Sequence, residues 1–157
     1  MQYRMKTHQL NQSQVKVLLS RVHTGCLATI SSNNTPYVVP VHFVYFDNKI
    51  YIHGLPAGEK ISNIKNNAHV CFTAYEMDCF LLDKKQKPCD TNTKYQSVVV
   101  KGTAALLDNI ETKYKILKKI IEKYTPHLKD TELPVNVVNS TAVIELNIVQ
   151  ITGKFYD

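Results

Sequence analysis

Three short stretches carry the residue types that chemistry needs. Ile52-His53-Gly54 reads as the end of a strand, and Gly58-Glu59-Lys60 as the opening of the helix that follows. Backbone N–H groups, the positive end of the helix dipole and the Lys60 ammonium converge at such a junction, which suits a phosphate. The competing reading leaves Lys60 a solvated lysine and Gly58 a loop glycine. Upstream, Tyr37-Val38-Val39-Pro40-Val41-His42-Phe43 has strand character with a proline in its middle. Proline removes a ladder donor, so this strand belongs at an edge, at a bulge, or where another molecule docks.

His53 has the widest chemical range of the six histidines. It can bind metal or haem, act as an acid/base group, or hydrogen-bond in a partly buried site, and the last role is the first choice. His42 points to either face of its strand, and His8, His23, His69 and His127 have no metal-ligand spacing, so no metal is expected. The four cysteines, Cys26, Cys71, Cys79 and Cys89, form no Cys-x-x-Cys pair and read as free thiols. Cys89 is either a tolerated loop thiol or a nucleophile. His53 and Cys89 are therefore the candidate catalytic residues.

Composition narrows the function classes. The 157 residues are 44% hydrophobic and 20% charged, with 19 Lys and Arg against 13 Asp and Glu, a net charge of +6. These values fit one ordinary globular domain. The longest nearly apolar run, Val38 to Phe46, is far shorter than the ~20 residues of a membrane span, and no apolar stretch follows the basic start as in a secretory signal. No membrane association and a cytoplasmic location are expected. Arginine occurs only at Arg4 and Arg21, so the forked side chain that reads phosphate and guanine is nearly absent. The lysines from 84 to 123 interleave with no stacking pattern of aromatics and read as a solvated face, not a nucleic-acid site.

The elements that must position these residues follow from periodicity. Residues 11–22 predict a helix with Val15, Leu18, Leu19 and Val22 on one face, capped by Asn11 or Ser13 and stopped by Gly25. Strands are predicted at 26–31, 37–46 and 49–53, joined by turns at Ser31–Pro36 and Asp47-Asn48. A short helix over 57–66 turns Ile61 and Ile64 inward and Ser62, Asn63, Lys65 and Asn66 outward. A strand at 70–75, an exposed loop at 82–94 and a strand at 97–107 come next. A helix over 109–124 presents Ile110, Tyr114, Leu117, Ile121 and Tyr124, with Asp108 and Glu111 as a capping box and Glu111–Lys115 as an ion pair. A strand at 141–152 ends the series. Consecutive hairpins with helices inserted at three points predict an α+β, mainly β, domain whose sheet closes into a barrel.

Pro36 to Phe43, Ile50 to Gly54 and Gly58 to Ile61 together resemble the FMN-binding split barrels related to pyridoxamine 5′-phosphate oxidase, in the nitroimidazole-resistance-like branch. Cys89-Asp90 before Tyr95-Gln96-Ser97, the strand Val100-Lys101-Gly102-Thr103-Ala104, and the ending from Thr141 to Lys154 extend the resemblance over nearly the whole chain. It implies a six-stranded antiparallel split barrel with flanking helices, spanning 1–157 as a single FMN-binding domain. It further implies a homodimer with FMN in clefts at the subunit interface.

By that resemblance, the segment Val39, Pro40, Val41 and His42 meets the edge of the flavin ring, and His53 and Gly54 approach the ribityl chain or ring. Gly58 and Lys60 bind the phosphate, and Ser97 lies near the phosphate tail. The implied activity is transfer of electrons from NAD(P)H to a small acceptor, a nitroaromatic among the candidates. The alternative is a noncatalytic flavin or haem carrier or sensor on the same barrel, with His53 as axial ligand. Two departures bear on this. No tryptophan occurs and no arginine follows Arg21, which argues against oxidation of pyridoxamine phosphate itself, and Glu59 stands where a second basic residue is common.

Overall fold

A computed structural model describes residues 6–157. Met1–Met5, the start of the stretch read above as no secretory signal, lie outside the described residues. Six antiparallel strands close into one barrel: β1 (Thr24–Ile30), β2 (Pro36–Phe46), β3 (Lys49–Gly54), β4 (His69–Leu81), β5 (Asn92–Leu106) and β6 (Ala142–Tyr156), in the order β1-β2-β3-β6-β5-β4. The helices are α1 (Gln12–Arg21), α2 (Glu59–Asn66), α3 (Ile110–Tyr124) and α4 (Val135–Ser140). This is the α+β, mainly β, split barrel with flanking helices that the sequence predicts.

The local chemistry explains the framework. The Asn11 side chain accepts from the Gln14 N–H while the Gln14 side chain accepts from the Asn11 N–H, which fixes the start of α1. Its buried Val15, Leu18 and Leu19 pack into the core. The helix ends at Arg21 with Val22 extended, so Gly25 is not its stop. Gly25 lies within β1, where a Cβ would fall 2.2 Å from the Phe72 ring, and the fully buried Phe72 occupies that space. Asp47 and Asn48, at φ 51° and 57°, make the two-residue turn that pairs Phe46 with Lys49.

Several predicted boundaries shift because pairing overrides polarity. The β4–β5 hairpin reaches Leu81 and Asn92, so the loop is shorter than the predicted 82–94 and β5 starts before Ser97. Met77 faces Tyr95, and Lys94 pairs with Asp78 at 3.0 Å, so the polar residues of this arm sit on solvated strands. β6 continues past Thr152 to Tyr156 because β5 pairs with it to the end. α4 has no counterpart among the predicted helices; its Val-Asn-Val-Val-Asn-Ser lacks a helical apolar period.

Two helix faces also differ from the sequence reading. Asn109, not Asp108, caps α3 and accepts from the Thr112 N–H. Its buried face is Lys113, Ile116, Leu117 and Ile120, with Ile110 exposed, because the Lys113 ammonium reaches the Asn139 carbonyl at 3.0 Å. Lys115 lies over the Phe46 ring, 4.9 Å from its centroid, instead of pairing with Glu111. In α2, Asn63 is buried with Ile61 and Ile64, and its amide donates to Thr29 Oγ1 at 3.0 Å.

The barrel is filled by one cluster built around Leu27, Phe43, Ile52, Phe72, Val98 and Leu146. A second cluster lies outside it, where Val44, Tyr51 and Val143 meet Ile116, Leu117 and Ile120 of α3 and Val138 of α4. The outer face of β1, β4 and β5 has no such cover among the described residues: Tyr75 is 52% exposed, and Met77, Phe80 and Val99 are exposed beside it. Strand register runs Pro40, Cys26, Thr73 and Val99 across that face in one row. The four cysteines are free thiols, and no described helix is long and apolar enough to cross a membrane.

Candidate functional site

β2 is half paired. From Pro36 to His42 it pairs with β1, whereas β3 joins it only from Phe43 onward. Phe43 is engaged on the β1 side, where Tyr124 Oη accepts its N–H at 2.8 Å and also touches the His23 carbonyl that precedes β1. Backbone direction alternates along a strand, so Val38, Pro40 and His42 turn their backbone groups to the open edge. Pro40 therefore removes no ladder bond, and its place at a strand edge is one of the three that the sequence allows. Val39 and Val41 send their side chains to the core and their backbones to β1, so neither offers a polar group to that edge.

The end of β3 and the start of α2 bring the other residues to this region. An ideal Cβ on Gly54 would lie 3.3 Å from Lys60 Nζ, which places the ammonium directly over the glycine. Gly58, at φ 125°, is the N-cap of α2, and its lack of a side chain leaves the first N–H groups of the helix uncapped. Glu59 is exposed, so its carboxylate is solvated. His53 Nδ1 is buried with no hydrogen-bond partner among the described residues. Burial, then the charge of His42, then that of Lys60 push the His53 pKa down, so the ring is neutral at pH 7. A buried, unsatisfied ring nitrogen costs free energy unless another group meets it.

His42 is exposed and stacks on the Tyr124 ring, 4.6 Å between centroids and 25° between planes. The Tyr124 hydroxyl has a single proton and faces the Phe43 carbonyl at 2.9 Å and the His23 carbonyl at 2.5 Å, so α3 pins the point where β1 leaves β2. Sequence spacing places Tyr124 on the helix face but gives no sign of the partners of its hydroxyl, which lie more than 80 positions upstream; Val38 was legible by strand alternation with Pro40 and His42.

Ser97 and Cys89 are not in this cluster within one chain. Ser97 sits on the uncovered outer face, opposite Tyr75 on one side and Lys154 on the other. It is three strands round the barrel from His42, roughly 14 Å at about 4.8 Å per strand. Cys89 lies in an exposed 3₁₀ turn, Pro88–Asp90, beyond the β4–β5 arm. Among the described residues, no group of three His, Cys, Asp or Glu is placed to hold a metal ion. The open backbone edge suits the rim of a flat heteroaromatic ring, and Lys60 with the uncapped helix start suits an anion.

Comparison with known proteins agrees with this architecture. No curated protein sequence matches the chain. Among solved structures, it is similar to a presumed 5-nitroimidazole antibiotic resistance protein from Bacteroides thetaiotaomicron, with 24% identity and a TM-score of 0.78 over 93% of this chain and 85% of that one. It is also similar to a flavocytochrome from Azotobacter vinelandii, with 19% identity and a TM-score of 0.85 over 100% of this chain and 72% of that one. An FAD and haem binding protein from Mycobacterium smegmatis gives 15% identity and a TM-score of 0.85 over 96% and 74%. At these identities the likeness is one of fold. The family model described as pyridoxamine 5′-phosphate oxidase matches residues 11–155, nearly the full length, and the chain belongs to that family.

Proposed function

We propose that this chain is a flavoprotein reductase: a single FMN-binding domain that pairs as a homodimer, takes electrons from NAD(P)H and passes them to a small acceptor, nitroaromatics included. The observation that carries the reading is the convergence of the unpartnered His53 Nδ1, the Lys60 ammonium over Gly54 and the open edge of β2. The flavin, when bound, supplies a two-electron carrier that the side chains of this protein lack. Lys60 and the start of α2 hold the phosphate, and the backbone groups of Val38, Pro40 and His42 orient the ring edge. His53, neutral at pH 7, offers Nδ1 as a hydrogen-bond partner.

The uncovered outer face supports the homodimer. Tyr75, Met77 and Val99 form an exposed apolar patch of the kind that marks an association surface. Ser97 lies within it, so in a two-chain assembly Ser97 serves the site of the partner and not that of its own chain. The structural likeness to the flavocytochrome and to the FAD and haem binding protein favours a flavin cofactor and keeps a second reading, a noncatalytic flavin or haem carrier with His53 as the ligand.

Lys60→Ala is expected to weaken FMN binding by about 1.5–3 kcal/mol, the scale of a hydrogen bond to a charged group. Unchanged affinity in a flavin fluorescence titration would remove Lys60 from the site. Bleaching of the flavin band by NADH or NADPH without oxygen supports the reductase; a flavin band that persists, or a Soret band, supports the carrier.

A further inference from the structure

A cavity of about 700 Å³ opens between the start of α1, the β2–β3 turn and the second half of β6. It lies at the far end of β3 from His53 and Gly54; six residues of strand, roughly 20 Å, separate the two regions. Its volume is that of a small-molecule site, about 300–1,000 Å³. The floor is apolar. Leu10 and Val15 are buried there, and Ile148 and Ile151 join them because β6 carries a bulge: Lys101 pairs with Gln150 and Gly102 with Ile148, which leaves Val149 as an extra residue. That extra residue shifts the alternation by one, so Ile148 and Ile151 face the same side.

The rim has one sign of charge. Among the described residues, Lys16 and Lys154 line the cavity, the other polar residues that line it are uncharged, and no carboxylate does. At the start of α1 the Asn11 and Gln14 N–H groups are taken up by their reciprocal caps and are not available to an anion. Two lysines over an apolar floor suit a single negative charge on an apolar body. We propose that this cavity binds a small amphipathic carboxylate with an alkyl or aryl body, at a site separate from the proposed flavin cleft and independent of it.

The test uses the full chain with FMN present throughout. The fluorescent probe anilinonaphthalene sulfonate is titrated in and then displaced with decanoate or with decanol. The expected result is one displaceable probe per chain, with decanoate competing at least tenfold better than decanol. Lys16→Glu, an exposed position on α1, is expected to weaken decanoate about tenfold, the loss of one charged contact. Ile151→Trp, which fills the floor, is expected to remove binding. If decanol competes as well as decanoate, or both variants bind like the unsubstituted chain, the proposal fails. A chain that binds decanoate in this way but takes up no FMN keeps this site and removes the flavin reading.

Discussion

The barrel has two outer sides, each built from three of its six strands, and they are finished in different ways. Where β2, β3 and β6 meet, Val44, Tyr51 and Val143 are covered by α3 and α4, and every one of them is buried. Where β1, β4 and β5 lie side by side, Tyr75, Met77 and Val99 face outward, and none of the described helices covers them. The covered side is stabilised within the chain by burial of apolar area, about 25 cal/mol per Å². On the other side the same kind of surface stays exposed, and the open edge of β2 lies at its border. Pro40 belongs to the same row as Cys26, Thr73 and Val99, so the half-paired strand and the bare face are continuous.

The sharpest way to break this contrast is to change one residue on each side. Tyr75→Glu is expected to convert a two-chain species into single chains in sedimentation velocity, with little change in the denaturation midpoint. A large loss of stability with no change in mass would mean that Tyr75 serves its own fold. Ile116→Ala, on the covered side, is expected to cost about 2–5 kcal/mol in urea unfolding, as for other large-to-small core changes. Tyr124→Phe strips the hydroxyl that meets the Phe43 N–H and the His23 carbonyl, and is expected to cost about 1–3 kcal/mol.

The smallest expected effect is a pH dependence. The pKa of His53 is below the ordinary 6.5, so as pH falls through that value the unfolded chain binds a proton that the folded chain resists. Stability contributed by neutral His53 is therefore full above pH 6.5 and is lost as pH falls toward the lowered folded value. The difference between pH 7.5 and 5.5 is expected to be below about 1 kcal/mol, given partial solvent screening, and to shrink in His53→Gln.

How far the sequence revealed this molecule depended on whether the signal was local. The strand around Pro40, the Asp47-Asn48 turn, the His53-Gly54 strand end and the Gly58-Lys60 helix start were all legible, because turn and cap chemistry resides in adjacent residues. The outer arm of β4 and β5 was not, since Glu76, Asp78 and Lys94 are polar and only cross-strand pairing makes them strand. The face of α3 was legible at Tyr114, Leu117 and Tyr124, which join the outer cluster, but not at Lys113, whose ammonium finds the Asn139 carbonyl. Asn63 was turned outward for the same reason: its partner, Thr29, is 34 positions away. Tyr124 was legible as a helix-face residue, but the bonds by which its hydroxyl joins α3 to β1 and β2 have no sequence signature.

The most direct measurement is sedimentation equilibrium of the chain with added FMN, read at the visible absorbance of the flavin. With FMN shared between two copies, the flavin signal sediments with the two-chain species alone. Flavin that sediments with a single chain, or protein that sediments without flavin, contradicts a site completed by the bare face of a second copy.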